Sequence, residues 1–191
     1  MLHEILQRES LFCLLHRLDE ELALKSRQRR CPFCGGPLHQ SNYPRKPRGE
    51  LAPLPEEYLR RLSNCCGCPG CRRRVLPASV KFLGRKIYWG CIHLVAMALR
   101  QQRPGGWSAH RVILLLGIPA KTLSRWARYW RETFPNSHAW KRLRGQVRPA
   151  VADTALPGAL LKLFLEQQPT QVHALVGCLR FLATGMSPPG V

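Results

Sequence analysis

Cys31-Pro32-Phe33-Cys34-Gly35 and Cys65-Cys66-Gly67-Cys68-Pro69-Gly70-Cys71 are the two stretches whose reading decides the fold. Two thiolates three positions apart can grip one tetrahedral ion, and a Gly directly after the second lets the backbone turn tightly around it. The first stretch is therefore half of a four-thiolate site. The other half must come from residues 65–71, where three pairings are open. Cys68 with Cys71 repeats the first spacing, Cys66 with Cys71 is also within ligand spacing, and Cys65 with Cys68 is a third choice. The 33 residues from Gly35 to Gly67 suit a hairpin and loop between two knuckles. The expectation is a zinc ribbon, with structural Zn²⁺ held by Cys31, Cys34, Cys71 and Cys68 (or Cys66). Four protein ligands close such a site, so a catalytic zinc is not expected. His39 is a lesser substitute ligand. A redox dithiol would sit near a βαβ pattern, and none is visible. Cys13, Cys91 and Cys178 lie on apolar helical faces and read as buried thiols.

Working outward from the cysteines, the charge is one-signed. The chain has 191 residues, 30 Lys and Arg against 11 Asp and Glu, and a net charge of +19. Residues 1–26 carry net −2 and residues 149–191 net zero, so residues 27–148 hold 25 bases against four acids, net +21. A basic middle between neutral ends implies a polyanionic partner. Arg72, Arg73 and Arg74 follow the last Cys directly, and on a strand Arg72 and Arg74 would share one face. Arg45, Lys46 and Arg48 sit on the loop between the knuckles, with Lys81, Arg85 and Lys86 downstream. Charge held on a metal-stapled scaffold suits a phosphate clamp.

Away from the cysteines the periodicity is helical. Leu2, Ile5, Leu6, Phe12, Leu15, Leu18 and Leu22 recur at three- and four-residue steps, so residues 1–25 read as an amphipathic helix, with Asp19 and Glu20 among the other positions. Pro44, Pro47, Pro53 and Pro55 forbid long helices in the Cys region and leave room for short strands at 38–43 and 72–82. A helix is expected over 85–102 and a helical unit over 108–134. The expected organisation is an N-terminal helix (1–26), a zinc ribbon (27–84), a helical region (85–134), a basic linker (135–155) and apolar C-terminal helices (156–191). The fold class is mainly α with a small β ribbon, α+β, the helical region following a treble of short strands.

Gly117-Ile118-Pro119-Ala120-Lys121-Thr122-Leu123-Ser124-Arg125 resembles the turn and recognition-helix start of the helix-turn-helix proteins. Gly117 suits a positive-φ turn and Pro119 the first turn of a helix. Leu123, Trp126, Ala127 and Trp130 would face the core, and Ala120, Lys121, Ser124, Arg125 and Arg128 form the opposite stripe. The resemblance implies that Ala120, Lys121 and Arg125 face base edges while Ser124 and Arg128 reach phosphates. It departs at Ile113, where that family carries a small residue at the helix crossing.

The order of Cys knuckles, Arg triplet and helix-turn-helix, with Tyr43–Gly49, Cys65-Cys66, Gly70–Arg74 and Phe82–Lys86, resembles small bacterial proteins associated with insertion sequences and transposases over residues 31–130. In that pattern Cys68 is an extra, which favours Cys66 as ligand. The expected function is sequence-specific duplex DNA binding, as a mobile-element accessory or a transcriptional regulator, partnered by a transposase or a second copy of itself. The alternatives are a catalytic transposase or recombinase subunit, or a zinc-ribbon scaffold for RNA or protein. Asp19 and Asp153 are the only Asp residues, and the acids are scattered, which argues against Mg²⁺-dependent strand chemistry and against an enzyme. No signal peptide or membrane span is apparent, and an odd count of nine cysteines, clustered in close pairs, fits a reducing compartment. The expected location is the bacterial cytoplasm, at the nucleoid, with no membrane partner.

Overall fold

The computed structural model describes residues 2–49, 51–83, 88–101 and 106–185. A 3₁₀ turn (Glu4–Gln7) leads into α1 (Glu9–Gln28), followed by the short strands β1 (Leu38–Gln40), β2 (Tyr43–Pro44), β3 (Arg60–Arg61), β4 (Asn64–Cys66) and β5 (Arg74–Val75). The rest is helical: α2 (Gly90–Gln101), α3 (Ala109–Leu116), α4 (Ala120–Arg128), α5 (His138–Leu143), α6 (Gly158–Gln167) and α7 (Gln171–Thr184). The chain is thus mainly helical with two small antiparallel sheets. One is three-stranded in the order β1-β4-β5, and the other pairs β2 with β3. Leu38 lies opposite Cys66, and Cys65 opposite Arg74.

The apolar core is built around α2. Every residue from Gly90 to Leu99 is buried, because α3, α4, α6 and α7 all pack on it. A helix surrounded on all sides must be apolar all round, so the helix expected over 85–102 is buried more deeply than a surface helix. It also begins later: the backbone of Tyr88 still pairs with Arg48 in a bridge, and residues 84–87 fall outside the described residues. The same core takes in Leu2, Ile5, Leu6, Leu11, Phe12 and Leu15 from the N-terminal segment. Phe12 and Phe82 both meet the buried Trp89 ring, at 4.9 and 5.3 Å between centroids.

Three expectations need correction. Residues 135–155, expected as a basic linker, contain α5, whose Trp140 is 0% exposed and donates to Asp153 at 2.6 Å; Leu143 and Val147 are buried with it. Asp19, expected on the polar side of the first helix, is 1% exposed. It accepts from the Ser79 hydroxyl at 2.5 Å and the Val80 N–H at 2.7 Å, pinning α1 to the segment after β5. Lys81, expected as surface charge, is 0% exposed. Its Nζ contacts His16 Nδ1 at 2.9 Å and donates to the carbonyls of Tyr58 and Arg60 at 3.0 Å. Burial pushes the Lys81 ammonium down to about 8, against the opposing pull of the Asp19 carboxylate. Burial also pushes the Asp19 carboxyl up. Arg85 and Lys86, read as further charge, lie outside the described residues.

Candidate metal centre and nucleic-acid interface

The sulfurs of Cys31, Cys34, Cys66 and Cys71 all lie within 4.8 Å of one another. Cys31 and Cys71 are 3.8 Å apart, and Cys34 and Cys66 are 3.4 Å apart. A tetrahedron with metal–sulfur bonds of about 2.3 Å has edges of about 3.8 Å, so the four thiols can hold one metal ion. Backbone N–H groups point at the sulfurs as they do around thiolates: Phe33 and Cys34 toward Cys31, Cys68 toward Cys66 at 3.4 Å, and Arg73 toward Cys71. Burial raises the Cys31 thiol, but these N–H groups and the neighbouring Cys34 and Cys66 thiols outweigh it and bring it down to about 7. Cys66 and Cys71 receive N–H groups that lower them, yet burial and the crowding thiols carry both above the usual thiol value. Four touching thiols cannot all ionise without a cation among them.

Spacing pointed to Cys68 as the fourth ligand. The structure brings in Cys66 instead. Backbone geometry explains why spacing misleads: the Arg72 N–H bonds to the Cys68 carbonyl at 3.1 Å, just as the Gly35 N–H bonds to that of Cys31 at 2.8 Å. Cys68 thus occupies the same turn position as Cys31, but its sulfur packs against Gly36, where any Cβ would collide with it. Cys66 reaches the cluster from β4, the central strand. The residue after each second cysteine is left-handed, Gly35 at φ 71° and Arg72 at φ 47°. Arg72 therefore lies in a turn rather than on a strand, and it does not share a strand face with Arg74, which begins β5.

His39 stands outside the thiol group, opposite Cys65. Cys91 and Cys178 are fully buried thiols; burial pushes Cys91 up to about 12 and Cys178 higher still. Cys13 is half-buried.

The second candidate region is the pair α3–α4. Ser108 caps α3 through the Arg111 N–H at 3.1 Å, and Gly117 ends it in a left-handed conformation (φ 59°, ψ 29°), as its turn position requires. Pro119 is the N-cap of α4, and its carbonyl accepts from Leu123 N–H at 3.1 Å. Leu123, Trp126 and Trp130 are buried, and Ala127 is half-buried. Ala120, Lys121, Ser124, Arg125 and Arg128 are all exposed on the opposite side. Ile113 is half-buried, and α3 and α4 pack on one another despite its bulk. The helix continues through a π turn, Tyr129–Thr133.

No protein-family model, curated protein or solved structure matches this chain.

The remaining basic residues divide by what their side chains already do. Arg74 donates to the Ser41 carbonyl at 2.8 Å and to Ser63 Oγ at 2.7 Å, and lies over the Tyr43 ring. It braces the strands. Arg45 is half-buried with its guanidinium over Phe82. Lys46, Arg48, Arg72 and Arg73 are exposed. The loop carrying Lys46 and Arg48 leans toward α4: Tyr88, bridged to Arg48, meets Trp126 edge-on at 4.9 Å. A cavity of about 760 Å³ separates Tyr43 and Arg45 from Tyr129, Trp130 and Phe134. The loop between the cysteine pairs and the far end of α4 therefore share one neighbourhood.

Proposed function

We propose that this protein is a zinc-stabilised, sequence-specific duplex-DNA-binding protein whose α3–α4 pair acts as a helix-turn-helix. The observation that carries the reading is the exposed stripe Ala120, Lys121, Ser124, Arg125 and Arg128, set opposite the buried Leu123, Trp126 and Trp130. No acid occurs from Ala109 to Arg131. An exposed helix face that is small, polar and basic suits the major groove, where Lys and Arg reach guanine acceptors and small residues allow close approach. Ala120, Lys121 and Arg125 then read base edges, and Ser124 and Arg128 contact phosphate. Lys46 and Arg48 on the neighbouring loop, with Arg72 and Arg73, add sequence-independent grip.

Zn²⁺ supplies the cation that the four thiols need, and its role is structural. Cys31, Cys34, Cys66 and Cys71 would hold it with no open position. The biological role is that of a mobile-element accessory or transcriptional regulator acting at the bacterial nucleoid, with strand chemistry supplied by another polypeptide such as a transposase.

The test is a salt-titrated binding measurement on a selected target duplex and on random duplex. Arg125→Ala should cost roughly 1–3 kcal/mol at the target and little on random DNA. Equal losses on both duplexes contradict base reading by α4.

A further inference from the structure

Phe33 is a large apolar side chain that packing leaves out. It is 56% exposed, whereas Cys31, Leu38 and Cys66 form a small buried cluster that does not take it in. The two-residue turn between Cys31 and Cys34 gives the ring no layer to enter. Its backbone is nevertheless fixed. The Phe33 N–H points at the Cys31 sulfur, and the turn is closed by Gly35 N–H to Cys31 carbonyl at 2.8 Å and Cys31 N–H to Gly36 carbonyl at 2.9 Å.

The Arg73 guanidinium lies over this ring, 4.7 Å from its centroid. Arg73 is fixed from the opposite knuckle: its N–H points at the Cys71 sulfur, and its carbonyl accepts from Cys66 N–H at 2.9 Å. Ring and cation are thus anchored on the two halves of one metal site. Arg30 and Arg72, adjacent to Cys31 and Cys71, are exposed and held in left-handed backbone at φ 63° and 47°. No acid occurs in residues 27–40 or 64–74.

We propose that Phe33 is a stacking platform for an unpaired DNA base, with Arg73 braced against the ring and Arg30 and Arg72 meeting the flanking phosphates. The inference rests on the nucleic-acid reading above and extends it from duplex to duplex carrying an unpaired segment. A nucleotide presents a flat π face and a phosphate a few bonds apart, which is the pairing that an exposed ring with a guanidinium against it and further arginines on the adjoining turns recognises. Stacking of this kind tolerates any base, so the platform reads the presence of an unpaired base while α4 reads sequence.

The experiment compares the metal-loaded full chain on the selected target duplex with blunt ends and on the same duplex with a single-stranded extension carrying a fluorescent purine analogue. The extended duplex should bind roughly tenfold tighter, within the range of one aromatic–base stack, and the analogue should be quenched. Phe33→Ala should abolish both the preference and the quenching while metal content, helicity and blunt-duplex affinity stay unchanged. Phe33→Trp should retain both. No preference in the parent chain, or a preference that survives Phe33→Ala, overturns the proposal. Arg125→Ala separates the two readings: it should weaken blunt-duplex binding yet preserve the gain from the extension. A chain that binds extensions through Phe33 but ignores Arg125→Ala would defeat the α4 reading and leave this one standing.

Discussion

The indole Nε1 of Trp130 donates to His93 Nε2 at 3.0 Å, with both residues buried. His93 comes from α2 and Trp130 from the π turn that prolongs α4. Trp126 lies 4.4 Å from the same imidazole between ring centroids. The aromatic seam on one side of α4 therefore sets the direction in which Lys121 and Arg125 point on the other. His93→Ala strands the indole N–H, and the expected loss is about 1–3 kcal/mol from the unpaired donor, read as a fall in denaturant midpoint. The double variant His93→Leu/Trp130→Phe removes both polar partners and should recover part of that loss. A double variant less stable than His93→Ala alone would show that the hydrogen bond is not the main element of the seam.

Metal analysis should find about one zinc per chain. Cys66→Ser should lower that stoichiometry sharply, while Cys68→Ser and Cys65→Ser should leave it intact. The thiol cluster has little apolar core of its own, with only Cys31, Leu38 and Cys66 buried in it. Chelation should therefore loosen residues 31–75 first and leave most of the helical signal, which comes from the larger core around α2. Loss of metal in Cys68→Ser with retention in Cys66→Ser would reverse the ligand assignment.

The Arg triplet should not behave as a unit. Arg73→Ala should weaken every duplex about equally and reduce the salt slope by roughly one phosphate contact. Arg74→Ala should lower thermal stability, because that guanidinium holds Ser41 and Ser63 together across the strands. If Arg74→Ala leaves the melting temperature unchanged, its hydrogen bonds contribute nothing net.

Lys81 should leave a signature in the pH dependence of stability. Its folded value of about 8 lies below the usual 10.5, so between those values the unfolded chain binds the extra proton. Stability attributable to this lysine therefore rises from about pH 8 to about pH 10.5, by up to roughly 3 kcal/mol. Lys81→Met should remove that rise. It should also lower stability overall, since the Tyr58 and Arg60 carbonyls lose their donor. A parent chain and variant with parallel pH curves would place the Lys81 ammonium at an ordinary value.

Gly117→Ala should cost about 1–2 kcal/mol, because φ 59° forces a Cβ against the following carbonyl. Gly117→Asn should cost less, since a short polar side chain tolerates that conformation. Space is not the issue, as nothing lies within 4 Å of where the Cβ would be.

Local pattern determined much of this protein. The spacing of Leu123, Trp126 and Trp130 is enough to say which side of α4 is buried, because helical period converts directly into faces. Cys31, Cys34 and Gly35 mark one half of the thiol cluster within five residues, and the prolines between the cysteine groups keep that region to short strands and a 3₁₀ turn. Spacing alone could not choose between Cys66 and Cys68; the resemblance favours Cys66, and the tertiary structure brings the Cys66 sulfur to the cluster. Ligand choice depends on where a sulfur points after β4 pairs with β1 and β5, and spacing carries no direction. It alone buried Asp19 and Lys81, since their partners Ser79, Val80, Tyr58 and Arg60 are distant in sequence. It alone turned the basic stretch at 135–155 into packed structure through Trp140. Charge density marks a segment as solvated, but one large aromatic that finds Asp153 and a buried layer outweighs it, because burial of that ring is decided by neighbours the segment does not contain.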